Sequence, residues 1–197
     1  MANTNTPFGL RPVRHINGAP YNGGATRYYV PASDGTALYL GDPVIIAGSA
    51  DAAGLASVTK ATAAGGNYML GPVVAFDPVE GAGAGGRDST IYRAASTERY
   101  VWVADDPDLV FEVQEDGVGG ALAAADVGLN ADWIAGTAST VTGLSGAMLD
   151  TSTKATTNTL QLRILGFKQS VDNEVGSANA KVLVSINLHS RRNLTGI

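Results

Sequence analysis

The chain has 197 residues with no cysteine, and 16% of them are charged, against about 25% in an ordinary soluble domain. The missing thiols exclude disulfides and sites built on thiolates. The net charge of −5 argues against nucleic-acid binding, which needs a basic surplus. No apolar run approaches the ~18 residues of a membrane span, and the first residues lack a basic cluster with an apolar region, so we expect neither a span nor a secretory signal.

Charge is distributed unevenly along the chain. Residues 1–30 carry a net charge of +3, residues 31–150 carry −12, and residues 151–197 carry +4. Basic ends around an acidic middle would suit contacts between copies of the chain or with an acidic partner surface. Chance segregation on one solvated surface is the alternative.

Residues 1–30 are predicted to form an extended N-terminal arm. Pro7, Pro12 and Pro20, with glycines between them, leave no room for a helix. Several aromatic and aliphatic side chains interrupt the arm, which is not typical of a disordered tail. We therefore expect the arm to dock on its own domain or on a neighbouring subunit.

Residues 31–197 are predicted to form a single β-rich domain, with a possible subdivision near residue 118. Short β-prone runs bounded by turn residues are typical of an all-β barrel or sandwich. The predicted strands are Val44–Ala47, Ser57–Thr62, Tyr68–Phe76, Ser89–Ala95, Arg99–Ala104, Leu109–Gln114, Thr159–Phe167 and Ala180–His189. One short helix is expected within Gly120–Asp132, and Gly81–Gly86 is interpreted as a flexible loop.

No pattern in the sequence indicates a catalytic site. The two histidines, His15 and His189, lie near opposite ends and are not spaced as metal ligands. The acidic runs Asp105–Asp108 and Glu115–Gly117 lack the ligand spacing of a calcium loop and are interpreted as solvated turns. The run Gly143–Gly146 falls one residue short of a nucleophile elbow. We therefore predict no enzymatic activity, no metal and no cofactor.

Two parts of the chain resemble the decoration, or cement, proteins of tailed-bacteriophage heads. The pair Leu40-Gly41-Asp42-Pro43-Val44 and Leu70–Phe76, separated by a Gly/Ala-rich stretch, is similar to the strand pattern of small β-tulip capsid-cement domains. The general layout is also similar, with Phe8–Arg14 at the start, the acidic turn in the middle, and Val182–His189 near the end. Together these segments cover less than half of the chain, which is longer than a single β-tulip module.

The resemblance implies a structural virion protein on the outer surface of the capsid, where it would bridge and stabilise major capsid subunits. Its partners would be the major capsid protein and itself, as a trimer or a dimer, with no nucleic acid and no membrane. If the arm is the anchor, the candidate contact residues are Phe8, Arg11, Arg14, Tyr28 and Tyr29.

Three alternatives remain open at this point. The first is a head–tail connector or tail structural protein. The second is a carbohydrate-binding adhesin module with an aromatic platform near Trp102, Trp133 or Tyr92, and the third is a hydrolase with carboxylates in Asp105–Asp116.

Overall fold

The chain is mostly β, as predicted from its short strand-like runs. The computed structural model describes residues 3–80, 87–88 and 91–192. The strands are β1 Arg11–His15, β2 Thr26–Val30, β3 Pro43–Ala50, β4 Ala56–Lys60, β5 Gly71–Phe76, β6 Val79–Glu80, β7 Arg87–Asp88, β8 Arg99–Val103, β9 Leu109–Gln114, β10 Asn130–Ala131, β11 Trp133–Ile134, β12 Met148–Leu149, β13 Leu162–Phe167 and β14 Lys181–Ile186. The helical segments of the described residues are single 3₁₀ turns at Ala124–Asp126, Thr151–Thr153 and Ser190–Arg192. None of these turns is long enough to cross a membrane.

Five strands close into a small barrel in the order β2-β4-β3-β5-β8. The pairs are antiparallel except for β2 with β4, which is parallel. Alternate residues of each strand point inward, as the two-residue period of a strand requires. The barrel interior is filled by Tyr28, Val30, Leu38, Val44, Val58, Leu70, Val73, Val101 and Val103.

A separate antiparallel sheet has the order β1-β9-β14-β13-β10. Its central strands β9 and β14 send alternate aliphatic and aromatic side chains, such as Phe111 and Val184, into a second and larger core. The other face of this sheet points away from the larger core. On that face, strand pairing places polar side chains from distant parts of the chain side by side.

The N-terminal 30 residues contribute one strand to each of these two sheets. β1 pairs with β9 and has a bulge between Pro12 and Arg14. β2 pairs with β8 over its whole length. The side chain of Asn3 also bonds to the backbone of Glu174 and Ser177, which ties the segment before β1 to the loop between β13 and β14. Within one subunit the segment therefore lies against its own domain.

Several local predictions differ from the structure. The short helix expected within Gly120–Asp132 is a single 3₁₀ turn at Ala124–Asp126, which ends there because Val127 has an extended backbone. Of the run predicted as a strand at Ser89–Ala95, the described residues 91–95 form one isolated bridge, between Arg93 and Leu38. The glycine-rich run Gly81–Gly86 lies outside the described residues.

Candidate contact surfaces

The five predicted contact residues lie in different environments. Phe8 and Tyr28 are buried within the subunit, and Tyr29 is partly buried. The Tyr28 hydroxyl donates to Asp105 Oδ2 at 2.7 Å, and burial together with this carboxylate raises the pKa of Tyr28. Tyr28 is therefore not accessible to a partner, and Phe8 exposes only a small part of its surface, 8%, toward an apolar groove. Arg11 is exposed and Arg14 is partly exposed.

An apolar groove is the first surface suited to binding another protein. It consists of two adjoining cavities of about 300 Å³ and about 270 Å³, which share Leu40 and Val74. The apolar lining of the two cavities includes Phe8, Leu10, Leu144, Phe76 and Ile91. The guanidinium of Arg11 stands at the rim, 4.5 Å from the centre of the Phe8 ring. The groove thus combines apolar surface with a cation at its edge.

The second surface, the cationic sheet face, is the side of the five-stranded sheet that faces away from the larger core. Arg14 pairs with Val110, which pairs with Ser185, which pairs with Arg163, so the two arginines stand in one row across four strands. The next row begins with Arg11 opposite Glu112.

Most of the arginine and lysine side chains on the cationic sheet face have no carboxylate partner among the described ion pairs. On the cationic sheet face, Lys168 Nζ lies 2.9 Å from Glu112 Oε1. None of the ion pairs between described residues includes Arg11, Arg14 or Arg163. Lys181 lies on the same face and pairs with Asp172 at 3.4 Å, so the described part of the face carries five cations and two carboxylates.

The third surface, the aromatic barrel face, is the outer side of β2 and β8. Arg27 is paired with Trp102, and Tyr29 with Tyr100, so these four side chains point outward together. The Arg27 guanidinium lies 3.9 Å from the centre of the Tyr100 ring, and the rings of Tyr29 and Tyr100 are 5.5 Å apart. A guanidinium over an aromatic ring is an attractive cation–π contact.

Each aromatic group on the aromatic barrel face is held by a carboxylate. Trp102 Nε1 donates to Asp77, and Arg27 Nε donates to the same carboxylate at 2.8 Å. The Tyr100 hydroxyl donates to Asp51 Oδ2 at 3.0 Å, and this bond raises the pKa of Tyr100. Desolvation, with the neighbouring Glu98 carboxylate, raises the pKa of Tyr29. With Asp51, Asp77 and Glu98 against Arg27, this face is acidic.

The carboxylates of the acidic turn are bound to other parts of the chain. Asp105 accepts hydrogen bonds from Thr26 and Tyr28 and forms an ion pair with Arg191. Asp106 pairs with His15, and Asp108 with Arg192. These partners hold the turn against β1, β2 and the C-terminal 3₁₀ turn. Among residues 3–80, 87–88 and 91–192, no group of three or more His, Asp or Glu side chains is placed to hold a metal ion.

Ser145, the serine of the elbow-like run, is buried in a structural contact. Its hydroxyl donates to Asp42 Oδ1, and Lys60 Nζ lies 3.0 Å from the same oxygen. The bond from Ser145 therefore joins the loop before β12 to the residue that precedes β3 of the barrel. No histidine is among the partners of this hydroxyl in the described part of the chain.

The aromatic residues considered for a sugar platform do not come together. Trp133 is buried in the larger core, and Tyr92 stacks on Tyr39 with ring centres 5.1 Å apart. Trp102 is exposed, but on the aromatic barrel face beside Arg27.

Sequence reasoning did not select Arg163, Lys168, Arg27 or Tyr100 as contact residues. The alternation around Arg163 does place it opposite Leu162 and Ile164, which identifies it as outward-facing. Its position beside Arg14 depends on the order β1-β9-β14-β13, and no local pattern contains that order. Comparison of the chain with protein-family models, curated proteins and solved structures gives no significant match.

Proposed function

We propose that the chain is a structural virion protein that decorates the outer surface of a tailed-phage capsid and stabilises it by bridging major capsid subunits. The proposal rests on the resemblance of the Leu40–Val44 and Leu70–Phe76 segments to capsid-cement domains. The observation that supports it best in the structure is the apolar groove, which these same two segments line through Leu40, Val73 and Val74. A concave site with apolar walls and a polar group at its edge is the usual form of a binding site.

The chemistry of the groove defines the capsid segment that would fit it. The apolar walls would accept aliphatic or aromatic side chains of an extended segment. The rim guanidinium of Arg11 has no carboxylate partner among the described ion pairs, so it would favour an acidic residue beside that apolar segment. We therefore assign the groove to a segment of the major capsid protein that combines apolar and acidic side chains.

The test measures binding of the purified chain to expanded heads of the phage that encodes it, prepared without the chain. Sedimented heads should carry saturating chain in hundreds of copies, whereas a head–tail connector would bind in about a dozen, as a closed ring. The groove variants are Ile91→Asp and Arg11→Glu, both at exposed positions. Each should weaken binding at least about tenfold, because a charge is placed against an apolar or acidic partner.

Val171→Asp is the matched control, since Val171 is fully exposed in the loop between β13 and β14 and lies outside the groove. It should bind heads as the unmodified chain does. Heads that bind no chain at any concentration would refute the capsid role. Binding that is equally strong in both groove variants would place the capsid contact on another surface.

A further inference from the structure

We propose that the cationic sheet face of one copy binds the aromatic barrel face of a second copy of this chain. The two faces differ in sign and in chemistry. The first carries Arg11, Arg14, Arg163, Lys168 and Lys181 against Glu112 and Asp172, and the second carries Asp51, Asp77 and Glu98 against Arg27. Complementary charge of this kind brings two surfaces together in a defined orientation.

The arginines of the cationic sheet face are well separated and point away from the larger core. Arg14 and Arg163 stand in one row, three strand spacings or roughly 14 Å apart, and the row ends at Asn130 of β10. Val110 and Ser185 between them are buried, so the two arginines are the accessible charged groups of this row. Leu165 and Leu183 add partly exposed aliphatic surface beside this row. Guanidinium groups this far apart, with aliphatic surface beside them, suit a protein surface better than a small ligand.

The aromatic barrel face already binds one guanidinium, its own. Arg27 lies over the Tyr100 ring and pairs with Asp77, which shows that this arrangement of ring and carboxylate accommodates an arginine. Tyr29 and Glu98 continue the same arrangement along the two strands without a cation of their own among the described contacts. Tyr29 is partly exposed, and Trp102 exposes about a third of its surface, 36%. An arginine from another molecule would find equivalent chemistry there.

The second copy is favoured as the partner because one chain supplies both halves of the contact. Arg11 and Arg14 from the basic N-terminal part and Arg163 and Lys168 from the basic C-terminal part meet on the first face, and Asp51, Asp77 and Glu98 from the acidic middle lie on the second. Tyrosine, tryptophan and arginine are the side chains most enriched at the centres of protein interfaces. In this chain the arginines lie mainly on the cationic sheet face, and the tyrosines and the tryptophan lie on the aromatic barrel face. Each face has an excess of one sign of charge, which contact between two copies would neutralise.

A contact between two different faces has a consequence for symmetry. Each copy would keep one cationic and one aromatic face open to further copies, so the association is head-to-tail. Such a contact closes into a ring when its rotation allows, and otherwise continues as a chain of copies. Arg11 belongs to both the apolar groove and the cationic sheet face, whereas Arg14, Arg163 and Glu98 lie outside the groove, whose apolar walls remain open to a capsid segment.

Light scattering and sedimentation velocity on the purified chain, without capsids, test the proposal. The unmodified chain should have a mass above the 20.1 kDa of one copy, and the mass should fall with dilution and with added salt. Arg163→Glu and Glu98→Lys, each alone, should weaken self-association at least about tenfold, because like charges then face each other. The double variant Arg163→Glu with Glu98→Lys should recover part of it, because one pair of opposite charges is restored with its signs exchanged.

Arg192→Glu is the control, since it makes the same change of charge outside both faces. Arg14→Glu repeats the test on the other end of the arginine row. Circular dichroism and the unfolding midpoint show whether each variant is folded. A mass of 20.1 kDa at every concentration would overturn the proposal, as would self-association that is unchanged in Arg163→Glu and Glu98→Lys. Ile91→Asp should leave the mass unchanged, so failure of capsid binding and failure of self-association are separate results.

Discussion

Gly9 and Gly41 cross so closely that neither position has room for a side chain. A methyl group on Gly9 would lie 2.5 Å from the Gly41 carbonyl oxygen, and one on Gly41 would lie 2.5 Å from the carbonyl oxygen of Phe8. The two segments are joined at this crossing by the amide of Leu10, which donates to the Gly41 carbonyl at 2.9 Å. The crossing fixes Phe8 and Leu10 on the wall of the apolar groove.

We predict that Gly9→Ala destabilises the protein by about 3 kcal/mol or more, because backbone atoms must move apart in addition to the strain of a positive φ. Gly23→Ala is the matched control, since Gly23 has a φ of 86° and open space around it. It should cost about 1 kcal/mol from backbone strain alone. Urea unfolding of the three proteins gives the comparison, and equal losses in the two variants would contradict the close crossing.

Arg93 is predicted to be the most costly arginine to replace. Its guanidinium is fully buried and donates to the carbonyl oxygens of Pro31, Asp34, Thr36 and Thr97. Arg93→Met would leave these acceptors unpaired, and we expect a loss of about 3 to 5 kcal/mol in the free energy of unfolding. Arg192→Met, at a half-exposed ion pair with Asp108, should cost at most about 1 kcal/mol. Chemical denaturation measures both, and similar values would refute the assigned role of Arg93.

Local sequence patterns are sufficient to predict the position of a strand when its two faces differ in polarity or when turn residues mark its ends. The sequence predicts Leu109–Gln114 with the bounds that the structure has, because an Asp-Pro turn precedes it and Glu-Asp-Gly follows it. It also predicts the core of β13 and β14 from their alternating aliphatic residues. The all-β class follows from such runs.

Strands defined by distant partners were not predictable in this way. β1 contains Pro12 and a bulge, and it becomes a strand by pairing with β9 about 100 residues later. The contact surfaces have the same origin. Arg14 and Arg163 belong to opposite ends of the sequence, and only the strand order places them in one row. The buried position of Tyr28 likewise depends on barrel closure, which composition does not encode.

Two deletions at the N-terminus should differ in their effect on folding, because the first residues make side-chain contacts whereas β1 and β2 belong to the two sheets. Removal of residues 1–5 deletes the bonds from Asn3 to the loop at Glu174 and from Gln114 to Asn5, at a cost of about 1 to 3 kcal/mol. Removal of residues 1–27 deletes β1 and part of β2, which opens the barrel between β4 and β8. We expect the shorter deletion to fold and the longer one to lose its cooperative thermal transition in circular dichroism. A cooperative transition in the longer deletion would show that the barrel does not need β2.

His189 should make the protein less stable as the pH falls below 6.5. Its ring is buried, Nδ1 accepts a hydrogen bond from the amide of Arg191 at 3.1 Å, and Nε2 has no partner among the described residues. Burial, with the nearby charges of Arg192 and Arg191, lowers the pKa of His189 to about 4. The unfolded chain therefore binds this proton more readily than the folded one between the two pKa values, so stability is full above pH 6.5 and falls toward pH 4.

The lowered pKa of His189 corresponds to a loss of roughly 3 kcal/mol across this range of pH. Other carboxylates titrate over the same range, so the measurement compares the native chain with His189→Asn, whose amide oxygen can accept the bond from Arg191. Urea unfolding of both proteins at pH 7.5, 5.5 and 4 gives the difference between their stabilities. That difference should shift by roughly 3 kcal/mol in favour of His189→Asn as the pH falls. A constant difference would mean that His189 takes up its proton equally in the folded and unfolded chain.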